Sequence, residues 1–288
     1  MKVKRHFAWV LILGLSCAAP ATLWAMDFLR LVTIGTPGEV QAAIDAGADL
    51  RQVDELARTA LVAAAANNPD PIVMDILLKA GADIVVEGYS ALRSAAAFNQ
   101  NPAVIAALLR AGAAVNSRTE PGATPLMYAA WKNRGPEVVR LLLDAGAAVN
   151  AVDDFGRTPL LFAAENSRDI RVLSLLLDAG ADVRAKEMDF GHTPLALAAM
   201  DNPDPGAIAL LVRYGAEVDA RDNFGATPLM GAARSNPNPA VLAALLNAGA
   251  DVRAKDSAGR SALDYSKDNA KLEGSDAYRR LQEASKQR

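Results

Sequence analysis

The sequence predicts an all-α solenoid of stacked helix-turn-helix units, and three observations predict it. Six segments open alike at Thr59, Ser90, Thr124, Thr158, Thr193 and Thr227, with a hydroxyl residue, then Pro or Ala, then Leu, and an alanine pair shortly after. Each runs 22 residues to a glycine, at Gly81, Gly112, Gly146, Gly180, Gly215 and Gly249. From each glycine to the next opening the spacing varies between 9 and 13, so insertions and deletions fall in one loop. A fixed period of this size marks a repeat architecture, and a stack of repeats forms one elongated domain whatever its length.

Residues 1–25 stand apart from the repeats. Lys2, Lys4 and Arg5 give a basic start, Phe7 to Ala19 an apolar stretch, and Pro20 to Ala25 a short segment ending in small residues. This is the plan of a secretory signal peptide, and the apolar stretch is short for a span of about 20 residues. Cleavage is expected after Ala25, with Ala21 as the alternative. Removal takes the formal charge from −3 to −6 and carries away Cys17, the only cysteine, and His6, one of two histidines. An acidic chain argues against nucleic acid as partner, and no disulfide is possible within the processed chain.

Residues 26–50 lack the Thr-Pro-Leu opening but keep Gly47-Ala-Asp49, and are expected to form an N-terminal capping repeat. Residues 51–258 hold the six repeats. The opening hydroxyl is placed to cap a helix, as at Thr124, and in the four units that open Thr-Pro-Leu a proline occupies the first turn, as at Pro125. Leu126, Ala129 and Ala130 then share a face, and with only 5% aromatic residues the alanines imply close helix packing. The segments Asn68-Pro-Asp-Pro71, Asn202-Pro-Asp-Pro205 and Asn236-Pro-Asn-Pro239 lie between the two helices of their units: Asn ends the first and the last proline starts the second. Val139, Leu142 and Leu143 form the apolar face of a second helix, which Gly146 ends in a left-handed conformation. Residues 259–288, rich in charge, are expected to form the C-terminal capping repeat and tail.

Residues Gly156 to Ala185, GRTPLLFAAENSRDIRVLSLLLDAGADVRA, resemble the ankyrin repeat family in its G-x-T-P-L-x-x-A-A and L-L-x-x-G-A-D-V patterns. Two departures stand out. Met127, Leu161, Ala196 and Met230 replace the His that often follows Thr-Pro-Leu, and the proline-bearing segment replaces a short Gly-His turn. The common period becomes 34, similar to what look like bacterial exported members of the family.

Chemical motifs in the sequence carry little. Asp154-Phe-Gly156 and Asp189-Phe-Gly191 spell the kinase magnesium motif without the other kinase signatures. His192, the one histidine after the leader, is expected to be a solvent-facing loop residue. The carboxylates Asp144, Asp178, Asp182 and Asp251, and Asp153, Asp222 and Asp256, recur at repeat positions and are expected to serve turns and caps. No catalytic residue, cofactor or metal site is expected.

The family resemblance implies a concave binding face made of loop tips and the exposed ends of the first helices. By repeat position this gives Tyr89 and Phe98, then Glu120, Trp131 and Lys132. The following repeats supply Asp154, Phe155, Arg157 and Glu165, then Asp189, Phe190, His192 and Met200, then Asn223, Phe224 and Arg234. The loop phenylalanines either anchor a partner or pack between neighbouring loops. The expected function is a non-catalytic, monomeric, exported scaffold, periplasmic or else secreted, that binds another protein. A small-ligand binder is the alternative, an enzyme the more remote one.

Overall fold

The computed structural model describes residues 21–86, 89–119, 121–132 and 135–286, with side chains left out at 21–27, 85, 86 and 89. Residues 1–20, and with them most of the expected leader, lie outside the described residues; the two expected cleavage positions fall in the first turns of helix α1 (Ala21–Ile34). Among the described residues no helix is long and apolar enough to cross a membrane.

The chain folds as the all-α solenoid that the repeats predict. One layer consists of α1, α3 (Ala60–Asn67), α5 (Ala91–Phe98), α7 (Pro125–Lys132), α9 (Pro159–Asn166), α11 (Pro194–Asp201), α13 (Pro228–Ser235) and α15 (Ala262–Ser266), each packed on the next. The second layer consists of α2 (Pro37–Asp45), α4 (Pro71–Lys79), α6 (Pro102–Arg110), α8 (Pro136–Asp144), α10 (Ile170–Asp178), α12 (Pro205–Arg213), α14 (Pro239–Asn247) and α16 (Asp276–Lys286), stacked likewise. The shortest loop, after Gly81, holds a small antiparallel ribbon in which Val85–Val86 (β1) pairs with Tyr89–Ser90 (β2).

The opening leucines Leu61, Leu92, Leu126, Leu160, Leu195 and Leu229 are all buried, as are the alanine pairs that follow them. Alanine at these positions lets successive first-layer helices approach, and the core is made of such contacts rather than of large side chains. The Thr124 hydroxyl accepts the Met127 N–H at 3.4 Å, as expected of a cap, and the Thr124 N–H points at the Met127 sulfur, 3.3 Å away. Met230 does the same for Thr227 at 3.4 Å, so a thioether, a weak acceptor, takes up that donor in two repeats. Gly146 has φ +86°, and the N–H of Ala147 reaches back to the Leu142 carbonyl, which ends α8 as the sequence predicts.

The asparagines between the helices do more than end them. The Asn68 amide donates to the carbonyls of Val32 and Gly35, Asn99 to Ala65 and Asn68, Asn202 to Ala164 and Ser167, and Asn236 to Ala199 and Asn202. Asn269 adds a bond to Asn236. The other amide atom, the Oδ1, accepts the N–H two residues on, as in Asp204 to Asn202. Each buried amide thus satisfies carbonyls at the C-terminal end of the previous unit's helix, where an α-helix leaves acceptors unpaired, and ties one repeat to the next.

Candidate functional site

The loops that rise from the stack are built alike. The Asp153 carboxylate accepts the N–H groups of Phe155 and Arg157 at 3.0 and 2.8 Å, and the Asp153 N–H donates to the Arg157 carbonyl. Asp222 and Asp256 repeat this in their own loops. These carboxylates serve turns, as the sequence implies. Neighbouring loops are joined by backbone bonds: Asp154 donates to Pro121, Met188 to Phe155, Asn223 to Phe190, and Ser257 to Phe224.

The loop from Gly180 to Thr193 carries one residue more than its counterparts. Because Met188 takes the bonding place of Asp154, and Phe190 that of Phe155, Asp189 is the added residue. Glu187 stands where other loops have Asp54, Asp153, Asp222 and Asp256, and its longer side chain spans the addition, accepting from the N–H groups of Asp189, Phe190 and His192 at 2.7, 2.9 and 3.1 Å. His192 is not solvent-facing as expected. Its side chain is 19% exposed, with Nδ1 3.2 Å from Glu187 and Nε2 3.7 Å from Asp222, and its ring stacks on Phe190. Two carboxylates from consecutive loops and one ring draw it inward.

An open groove of about 690 Å³ lies between these loops and the first-layer helices of the three central repeats. Trp131, Phe155, Arg157, Glu165, Asp189, Phe190, His192 and Met200, all expected from the sequence, line it together. Phe155 is 46% exposed and Phe190 51%. The Phe224 ring lies 6.3 Å from that of Phe190 and is itself 57% exposed, so these two touch without burying one another. Lys132 lies over the Trp131 ring at 3.6 Å, and Asp154 faces Arg118 at 3.9 Å. Arg234 lines a small hollow beside the groove, together with His192 and Met200.

The other expected contacts fall elsewhere. The Asn223 side chain is engaged with the Asp189 carbonyl at 3.3 Å, holding loop to loop. Phe98, 61% exposed, is not part of the groove wall. Glu120 and the Tyr89 side chain lie outside the described residues.

The groove floor contains residues that sequence reasoning passed over. Tyr128 and Phe162 flank Trp131, with ring centroids 6.2 and 5.9 Å from it, and Arg157 lies over Phe162 at 4.0 Å while pairing with Glu165. A signal was present: the fourth residue after each opening is Ala63, Ser94, Tyr128, Phe162, Leu197 and Gly231, bulky only in the three repeats that line the groove. At Gly231 the Met200 side chain fills the space a Cβ would need. Asp201 was also missed, although it holds the repeat position of Lys132. Its carboxyl is pushed up from the usual value by burial and by the Glu165 charge. Among the described residues no group of three or more His, Cys, Asp and Glu side chains comes together to hold a metal.

The family model described as ankyrin repeats (3 copies) matches residues 32–119, 94–187 and 173–256, which together span well over half of the chain. No curated protein matches the sequence. Ankyrin repeats indicate a protein–protein interaction scaffold and are generally non-catalytic. Hydroxyl caps on the first helices at Ser90, Thr124, Thr158 and Thr193, left-handed glycines after the second helices, and loops joined edge to edge agree with that match, and the chain belongs to the ankyrin repeat family.

Proposed function

We propose that the protein is a non-catalytic scaffold, exported to the envelope of a bacterial cell or beyond it, that binds one partner protein along its concave groove. The observation that carries this reading is the convergence of Trp131, Phe155 and Phe190, each 40% exposed or more, on one open groove. Large rings that remain half exposed beside charged groups have the composition of interface hot spots. The basic, apolar and small-residue succession of residues 1–25 supports export. Affinity capture from an envelope extract, followed by mass spectrometry, tests the binding reading: one stoichiometric protein is the expected result. N-terminal sequencing of the exported form tests the other half and is expected to begin at Met26.

The groove volume favours a second reading, because about 690 Å³ falls within the range of small-molecule sites. A metabolite retained in place of a protein in the same capture would select it.

A further inference from the structure

The groove is both aromatic and acidic, and the two properties together limit what fits it. Five carboxylates line it against one arginine. Three of the five are already committed: Asp153 and Glu187 to loop N–H groups, and Glu165 to Arg157. Asp189 and Asp201 have side chains with no hydrogen bond or ion pair among the described residues, and both line the groove, one from a loop and one from the end of α11.

The molecule's own cations show how the rings are used. Lys132 lies over Trp131 at 3.6 Å and Arg157 over Phe162 at 4.0 Å. A cation over a ring face is attracted by the ring quadrupole, and more strongly when water is excluded. Phe155 and Phe190 offer half-exposed rings in the same groove as the two unpaired carboxylates, and among the described residues neither ring has a cation over it. A partner bearing negative charge would meet Asp189, Asp201 and the −6 of the chain without its leader.

We propose that the groove takes a basic segment of the partner protein, seating an arginine or lysine side chain between the Phe155 and Phe190 rings and the carboxylates of Asp189 and Asp201. This rests on the scaffold reading above.

Trp131 supplies a probe inside the groove. In the full chain with Trp9→Phe and Trp24→Phe it is the single tryptophan, so its emission reports occupancy directly. The chain is titrated with a short peptide alternating arginine and leucine, and with counterparts carrying glutamine or glutamate in place of arginine. The arginine peptide is expected to shift Trp131 emission to saturation, with the glutamate peptide at least about tenfold weaker. Asp189→Asn with Asp201→Asn is expected to weaken the arginine peptide by at least about tenfold, while Asp83→Asn with Glu283→Gln, exposed acids outside the groove, leaves it unchanged.

If the glutamine peptide binds as tightly as the arginine one, or the groove double variant binds within twofold of the parent, the basic-segment inference is overturned and the scaffold reading stands. If no peptide moves Trp131, the inference is again overturned. If, in addition, the partner recovered by capture is retained by a chain with Phe155, Phe190 and Phe224 changed to Ser, the scaffold groove itself is the wrong site.

Discussion

The side-chain amide of Asn236 donates to the backbone carbonyl of Asn202, 2.9 Å away, and Asn202 makes the same bond to Ser167 one unit earlier. The amide also reaches the Ala199 carbonyl at 2.8 Å. Replacing Asn236 with Ala leaves two buried acceptors unpaired and is expected to destabilise by about 1–3 kcal/mol, read as a lowered denaturant midpoint. Asn236→Asp keeps the acceptor for the Asn238 N–H but removes the donor, so it is expected to be destabilising as well. An unchanged midpoint in both variants would show that the amide ladder does not couple the repeats.

Glu187 and the longer loop are matched to each other. Glu187→Asp shortens the side chain by one methylene and draws the carboxylate away from the Phe190 and His192 N–H groups, at an expected cost of about 1–3 kcal/mol. Combining it with deletion of Asp189 restores the spacing of 12 found in the other long loops. The combined variant is expected to melt near the parent temperature. Failure of this rescue would mean that Glu187 is not answering the added residue.

Asp256 gives the C-terminal end of the stack a pH dependence. The Tyr265 hydroxyl, 2.6 Å away, the Arg260 side chain and two loop N–H groups hold its carboxyl down from 3.8 to about 2. A carboxylate with a depressed value in the folded state contributes stability above its ordinary value and loses it as pH falls toward the depressed one. The gap in melting temperature between the parent and Asp256→Asn is therefore expected to be full at pH 7 and to close between about pH 4 and pH 2. A gap that stays constant down to pH 2 would contradict the assignment.

The helices were legible because their signals are local. Thr124, Pro125 and Gly146 each act within a few residues of themselves, and the pattern repeats six times, so a weak indication in one unit is reinforced by the others. The asparagine ladder was not legible, because the acceptors of Asn202 lie 35 and 38 residues away, on a unit whose relative position only the stack defines. The inward turn of His192 has the same origin: one of its two carboxylates, Asp222, belongs to the next loop. The groove was half legible. The loop rings and the helix-end residues Trp131, Glu165 and Met200 follow from repeat position, whereas Phe162 lies a turn further into its helix, where the sequence pattern reads as core, and Asp201 directly follows Met200 without a ring or pattern of its own to mark it.

The claim that the groove is the binding face rests on the half-exposed loop rings Phe155 and Phe190 that line it, beside Trp131, with Phe224 touching Phe190 at its edge. The most direct test is the dissociation constant of the captured partner for the parent and for the triple variant Phe155→Ser, Phe190→Ser and Phe224→Ser, measured alongside thermal melts. The account predicts a loss of at least about 2 kcal/mol in binding, the usual hot-spot threshold, with the cooperative melt and helical circular dichroism preserved. A triple variant that binds as tightly as the parent would contradict it, as would one that loses its cooperative melt while its folded fraction binds normally.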